Sequence, residues 1–282
     1  MKARPECIAC MFKQLMNTVR LASDDDAVHL RAMQELGRRV QDAHFDQTPA
    51  ALSQDVYTVV TEVTGVADPY ADQKRETNRT ARRMLTHVEA LVQDAPDPLD
   101  TALHLAAAGN IIDAGIGHAF DIEHDVIALL DRPFAISAID QFRDELRPGR
   151  RLLYLGDNAG EIVFDTVLVK MLTQAGLQVT YTVKAGPIIN DATLEDAVFA
   201  GMPELATVIT TGSNAIGVDF ARVSAEFMSA FRASDIILGK GHGNFETCNE
   251  RPENLYFLLK AKCPLVAEAL GVALGDIVFA AD

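Results

Sequence analysis

The chain has 282 residues, 49% of them hydrophobic and 23% charged, with a formal net charge of −15. Such a length can bury a sizeable core in an ordinary globular protein, but the negative balance excludes an extended nucleic-acid surface, which needs clustered Lys and Arg. No apolar run approaches the roughly 20 residues that span a bilayer, and the start, MKARPECIAC, lacks the apolar centre of a signal peptide, so a cytoplasmic chain with reduced thiols is expected.

Residues 1–148 read as a helical N-terminal domain. Helical periodicity covers 6–21 and 26–43, and Thr48-Pro49 opens a helix that ends near Gly65. Asp68-Pro69 starts a long charged helix through Lys74, Asn78, Arg82 and Arg83 to about Gln93, and Asp97-Pro98 opens an apolar one over 99–115. Shorter helices are expected at 125–130 and 137–146, and Arg147-Pro148-Gly149 marks a boundary.

Residues 149–282 alternate between strand and helix. Strands are expected at 152–155, 179–184, 206–210, 235–238 and 264–266, and a terminal strand at 276–279 is placed at the sheet edge. Helices are expected at 161–175, 194–200, 223–233 and 253–262. The pattern implies an α/β fold: a mostly parallel, Rossmann-like sheet with right-handed crossovers, flanked by helices.

The chemistry sits on the turns after these strands, where open α/β sheets bind ligands. The first strand runs into Gly156-Asp157-Asn158-Ala159-Gly160-Glu161, and the second into Gly186-Pro187-Ile188-Ile189-Asn190-Asp191-Ala192-Thr193. The third ends at Thr211-Gly212-Ser213-Asn214, and the fourth at a Gly-rich loop, Gly239-Lys240-Gly241-His242-Gly243-Asn244-Phe245-Glu246. Asp157, Asn158 and Asp191 offer hard oxygen donors suited to a divalent ion such as Mg²⁺ or Mn²⁺, leaving positions for water and a phosphate oxygen. Helix capping is the plainer role for Asp157 and Asn158. Lys240 can neutralise phosphate charge, and the flanking glycines let backbone N–H groups approach an oxyanion. Neither a P-loop nor a Gly-x-Gly-x-x-Gly turn is present, which weakens nucleotide and S-adenosylmethionine readings.

Taken together, these motifs resemble the metal-dependent damage-control phosphatases, a family long catalogued as a domain of unknown function. It includes eukaryotic members once proposed to be acidic-residue methyltransferases. Cys7-x-x-Cys10, Lys262-Cys263, Asp68-Pro69-Tyr70 with Lys74 and Asn78, and Gly109-Asn110-Ile111-Ile112-Asp113 are similar to its small prokaryotic branch. The resemblance implies hydrolysis of small phosphorylated metabolites, including sugar phosphates and damaged cofactor phosphates, with Mg, Mn, Co or Ni as the divalent cofactor. It also implies Asp157, Asn158 and Asp191 as metal ligands and Lys240 as the phosphate contact.

The expected mechanism is attack by metal-activated water, with Asp157 or Asp191 assisting proton transfer, because the Asp-x-Asp start of aspartate-nucleophile phosphatases is missing. Asp157, Asp191 and Lys240 are the catalytic candidates. Lys240, Gly241, Asn244, Asn190 and Ser213 are candidates for substrate binding, joined by Asn110 and Asp113, which share one face of the apolar helix. Glu161 and Asp165 also share a helix face; they would either orient the site or favour the helix N-terminus. Lys74 and Asn78 read first as a solvated helix face. Cys7, Cys10 and Cys263, with Cys248, would hold a soft metal, form a redox pair or pack as small apolar groups. His242 is an acid candidate or a solvated loop residue. The alternative classes are a carboxyl methyltransferase and a non-catalytic metal- or metabolite-binding protein.

Overall fold

Caps and apolar stripes set the helical boundaries in the computed structural model, which describes residues 1–114, 130 and 132–282, with the backbone alone for 108–114. Helix α1 (Pro5–Ala22) and α3 (Pro49–Thr64) each begin with proline in the first turn, where its missing N–H is not needed. Asp25 caps α2 (Asp26–Arg39), Thr48 caps α3, and Gly65 ends α3 in the left-handed conformation. These three helices bury their apolar stripes against one another, with Met11, Leu15, Val19, Leu36, Val56 and Val59 wholly enclosed.

Helices α4 (Ala71–Asp94) and α5 (Pro98–Ala114) follow, then α6 (Ile139–Glu145). The expected helix at 125–130 falls mostly outside the described residues. Seven strands form one sheet: β1 (Ile136–Ser137), β2 (Arg151–Leu155), β3 (Gln178–Val183), β4 (Thr207–Thr210), β5 (Ile236–Lys240), β6 (Leu255–Lys260) and β7 (Ile277–Ala281). Their spatial order is β1-β7-β6-β5-β2-β3-β4, and every neighbouring pair is parallel except β6–β7. The α/β class therefore stands.

Alternate side chains of β2 point to opposite faces, as the pleat requires. Leu152 and Tyr154 join a core with α4, α5 and α7 (Glu161–Gln174), while Leu153 and Leu155 meet Phe227 and Phe231 of α9 (Ala225–Ala233). Truncating a fully buried leucine such as Leu153 to alanine costs about 2–5 kcal/mol.

Three expectations from sequence are corrected. Residues 255–260 form the strand β6, not a helix; Leu-Tyr-Phe-Leu-Leu is buried on both faces, and such a short apolar run carries no period. Pro264–Val266 begins the helix α11 (Pro264–Leu270), not a strand, with proline again in the first turn. The terminal strand lies between β6 and β1, so the two-residue β1 takes the edge. Helix α8 (Leu194–Ala200) falls where it was expected.

Candidate active site and metal centre

Strands β5, β2, β3 and β4 end side by side, and the strand order reverses between β2 and β5, the position at which such sheets bind ligands. The turn after β2 pairs with the turn after β3. Ala159 donates its N–H to the Asn190 carbonyl and Ala192 to the Asp157 carbonyl, each at 2.8 Å, with Asn158 and Asp191 as the bridged pair. Backbone pairing thus brings together segments distant in sequence. Gly241, just after β5, has φ 74°, and a Cβ there would overlap the Asp157 carboxylate. Only glycine permits that approach.

Two charge clusters share this edge. In the first, Lys240 is 1% exposed, with Nζ 3.1 Å from Glu161 and 2.9 Å from Asp165. Tyr154 and Tyr181 donate to the two oxygens of Asp165, each at 2.7 Å. Burial opposes the Lys240 charge, but Asp165 and Glu161 more than offset it and hold its pKa above that of an ordinary lysine. In the second cluster, the Asn158 amide nitrogen donates to Glu161 at 2.7 Å and to Asp157 at 3.2 Å. Burial, then the like charges of Glu161 and Asp191, push the half-buried Asp157 well above the usual carboxylate range. Asp191 is pushed to about 6 by burial, against the pull of Lys184, whose Nζ lies 3.5 Å away and also donates to the Gly217 carbonyl.

Among the described residues, Asp157, Glu161, Asp165 and Asp191 therefore meet the buried ammonium groups of Lys184 and Lys240 directly, and Lys74, itself paired with Asp68, acts on Asp191 from farther off. An excess of buried carboxylate with an amide beside it is the donor chemistry of a hard divalent cation. Among the described residues, no three His, Cys, Asp or Glu gather as an ion site. An ion would thus rest on two carboxylates, Asp157 and Asp191, and the amide oxygen of Asn158.

Several candidates are placed differently from expectation. The Gly-rich segment is not a loop: Gly239 and Lys240 end β5, and the helix α10 (Gly241–Cys248) starts at once. Lys240 is consequently committed to carboxylates. Asn244 donates to the carbonyls of Lys240, Gly156 and Leu155 at 2.8, 3.2 and 3.3 Å, so its amide nitrogen clasps the ends of β2 and β5. Lys74 and Asn78 are buried, not solvated. Lys74 pairs with Asp68 at 2.7 Å, and Asn78 accepts from the Gly160 N–H at 2.6 Å while donating to Asp196 at 2.7 Å. His242 Nε2 sits between the Lys260 carbonyl (2.7 Å) and the Lys262 amide (3.0 Å). Asn190 and Ser213 are buried in the turns after β3 and β4. The side chains of Asn110 and Asp113 lie outside the described residues.

The cysteines form no clear pair. Cys7 is buried and accepts from the Arg4 N–H at 3.5 Å, while Cys10 is exposed beside Gln14. Cys7, Cys10 and Cys263 do not assemble into a metal-holding group, and burial raises the Cys248 thiol to about 12.

A cleft of about 370 Å³ opens beside the acidic cluster, between α3 and residues Pro187, Ile188 and Ile189. Ile188 accepts the Asp191 N–H at 3.1 Å, and Ile189 has φ 45°, a strained conformation for a β-branched residue. A broader depression of about 680 Å³ lies at the opposite end of the sheet near Arg151, Gln178 and Thr207, away from every buried charge described above.

The damage-control phosphatase ARMT1-like domain matches residues 3–278. The chain belongs to that family. It is 34% identical to the damage-control phosphatase PH1575 of Pyrococcus horikoshii, over 99% of this chain and 97% of that protein. A damage-control phosphatase of Archaeoglobus fulgidus is 33% identical, over 99% of this chain and 98% of its own length. The crystal structure of a DUF89-family protein from Pyrococcus horikoshii superposes with a TM-score of 0.92 at 33% identity, covering 100% of this chain and 99% of the other. Among this family member's described residues, Lys184 and the tyrosines on Asp165 escaped the sequence reading. A lysine closing a buried strand was the available signal for Lys184; two tyrosines within apolar strands gave none.

Proposed function

We propose that this chain is a divalent-metal-dependent phosphatase that hydrolyses small phosphorylated metabolites, sugar phosphates and damaged cofactor phosphates among them. The observation that carries the reading is the under-neutralised cluster of Asp157, Glu161 and Asp191 beside Asn158, at the strand-order reversal. Asp157, Asn158 and Asp191 would hold the ion. When bound, it supplies charge neutralisation, in-line positioning of the phosphoryl group and acidification of a water.

The chain's own residues do the rest. Lys240 and the Asn158 amide hold the Glu161 carboxylate from two sides. Lys184 stays within 3.5 Å of Asp191 and limits the repulsion there. A carboxylate oxygen of Asp157 or Asp191 takes the proton of the attacking water. The water oxygen forms the new P–O bond and the ester P–O bond breaks; the carboxyl then returns the proton it took from water to the leaving oxygen, so the alcohol departs neutral and inorganic phosphate is released.

Phosphate release from p-nitrophenyl phosphate and a panel of sugar phosphates, with Mg²⁺, Mn²⁺, Co²⁺ or Ni²⁺ and again after chelation, tests the proposal. Activity is expected only with a divalent ion and is expected to return when the ion is restored. Hydrolysis indifferent to chelator would overturn the metal assignment, and no release with any ion would overturn the phosphatase reading.

A further inference from the structure

Resting on that phosphatase reading, we propose that Asn78 of α4 is a positioning residue for the ion. Its one amide ties the turn that carries Asp157 and Asn158 to the turn that carries Asp191, and so sets the distance between the two carboxylates. The side chain is buried, accepts from the Gly160 N–H at 2.6 Å and donates to one oxygen of Asp196 at 2.7 Å. Gly160 closes the first turn, immediately before α7. Asp196 closes the second: its other oxygen takes the Thr193 N–H and the Thr193 hydroxyl, each at 2.8 Å, where α8 begins.

The two turns already pair through the backbone at 157–159 and 190–192. That ladder stops one residue short of each helix, and like charge works against it, since Glu161 and Asp191 both act on Asp157 across the same edge. Asn78 fastens the open end from outside the sheet. Helix α4 is seated directly on the first turn: Gly160 has φ 81°, and a Cβ there would lie 3.1 Å from the Cβ of Thr77. One turn further along α4, Arg82 donates to the Ala200 carbonyl at 3.3 Å and holds the far end of α8 to the same helix.

The chemistry of the junction calls for an amide. Gly160 offers a donor and Asp196 an acceptor, and an asparagine side chain answers both at once. An aspartate in its place would press two buried carboxylates together. Alanine would leave the Gly160 N–H and one Asp196 oxygen without this partner. In either case the turns are free to spread under their own repulsion, and a spread pair of ligands grips a small hard cation less well.

Mn²⁺ binding to the full chain, read from the electron paramagnetic resonance of the free ion, tests this beside turnover of p-nitrophenyl phosphate and urea unfolding in chelator. Asn78→Asp and Asn78→Ala are each expected to weaken Mn²⁺ binding by about tenfold or more and to lower kcat at saturating ion. In Asn78→Asp combined with Asp196→Asn the carboxylate and the amide change places. The hydrogen bonds to Gly160, Thr193 and each other can then re-form, and Mn²⁺ affinity is expected to return toward the parent value. A purely structural Asn78 would lower the urea midpoint while the folded variants kept the parent's Mn²⁺ affinity and kcat; that result would overturn the proposal and leave the phosphatase reading intact. So would a double variant no better than Asn78→Asp alone, a comparison that decides even where Asn78→Ala does not fold. A parent chain that neither binds Mn²⁺ nor releases phosphate would instead sink the phosphatase reading and this inference with it.

Discussion

The two charge clusters at the sheet edge use the same residue types to opposite ends. Around Lys240 every charged group has a direct hydrogen-bonded partner: Glu161 and Asp165 share the one ammonium, Tyr154 and Tyr181 complete Asp165, and the Asn158 amide completes Glu161. Around Asp157 and Asp191 negative charge exceeds its partners, and both carboxyls resist ionisation. A closed cluster holds strands in register, because removing a member leaves a buried charge unpaired. An under-neutralised one stores repulsion that a cation relieves, and that difference separates scaffold from site.

Breaking the closed cluster gives the largest expected effect. Lys240→Met strands Glu161 and Asp165 without their cation and is expected to destabilise the fold by about 3–5 kcal/mol, read from urea unfolding. Asp157→Asn acts on the other cluster. Activity is expected to fall about 100-fold or more, while unfolding in chelator occurs at equal or higher urea because one repelling charge is gone. A Lys240→Met variant as stable as the parent, or an Asp157→Asn variant that unfolds earlier in chelator, would erase the distinction. Tyr181→Phe sharpens it more gently: losing one hydrogen bond to a charged group costs about 1.5–3 kcal/mol, with metal-dependent turnover largely kept.

The distinction was only partly legible in the sequence. The turns carrying Asp157, Asn158 and Asp191 could be read because short polar turns after buried strands declare themselves by composition. The partners of Lys240 could not, since Glu161 and Asp165 on a helix read equally well as solvated, dipole-friendly acids. Lys74 and Asn78 misled for the same reason: four arginines nearby, Arg75, Arg79, Arg82 and Arg83, make the helix look wet on every face. Tertiary packing alone decides which turn of α4 faces Gly160. In the fold, the parallel strands β2 to β5 announced themselves through alternation with helices. Strand β6 did not, because five apolar residues in a row fit a buried helix as well as a buried strand.

The smallest net effect, near zero in the parent chain, is expected from α10, where two further buried groups titrate in opposition. Burial raises Glu246 from an ordinary 4.5 to about 7, although the Ala50 N–H at the start of α3 donates to it. Burial also lowers His242 from 6.5 to about 4, although the Lys260 carbonyl resists. For Glu246 the folded pKa exceeds the unfolded one, so its contribution is fully present below pH 4.5 and is lost as pH rises through 7. For His242 the folded pKa is the lower, so folding excludes a proton and stability is lost as pH falls from 6.5 through 4. Each shift spans about 2.5 pH units, or about 3 kcal/mol, and between pH 4.5 and 6.5 the two slopes run oppositely. The parent chain should therefore show almost no net slope from α10 in that window. Glu246→Gln is expected to lose stability on acidification relative to the parent, and His242→Asn to gain it. Urea midpoints at pH 4.5, 5.5 and 6.5 read both differences; two variants that track the parent at all three values would show that neither group is held away from its ordinary pKa.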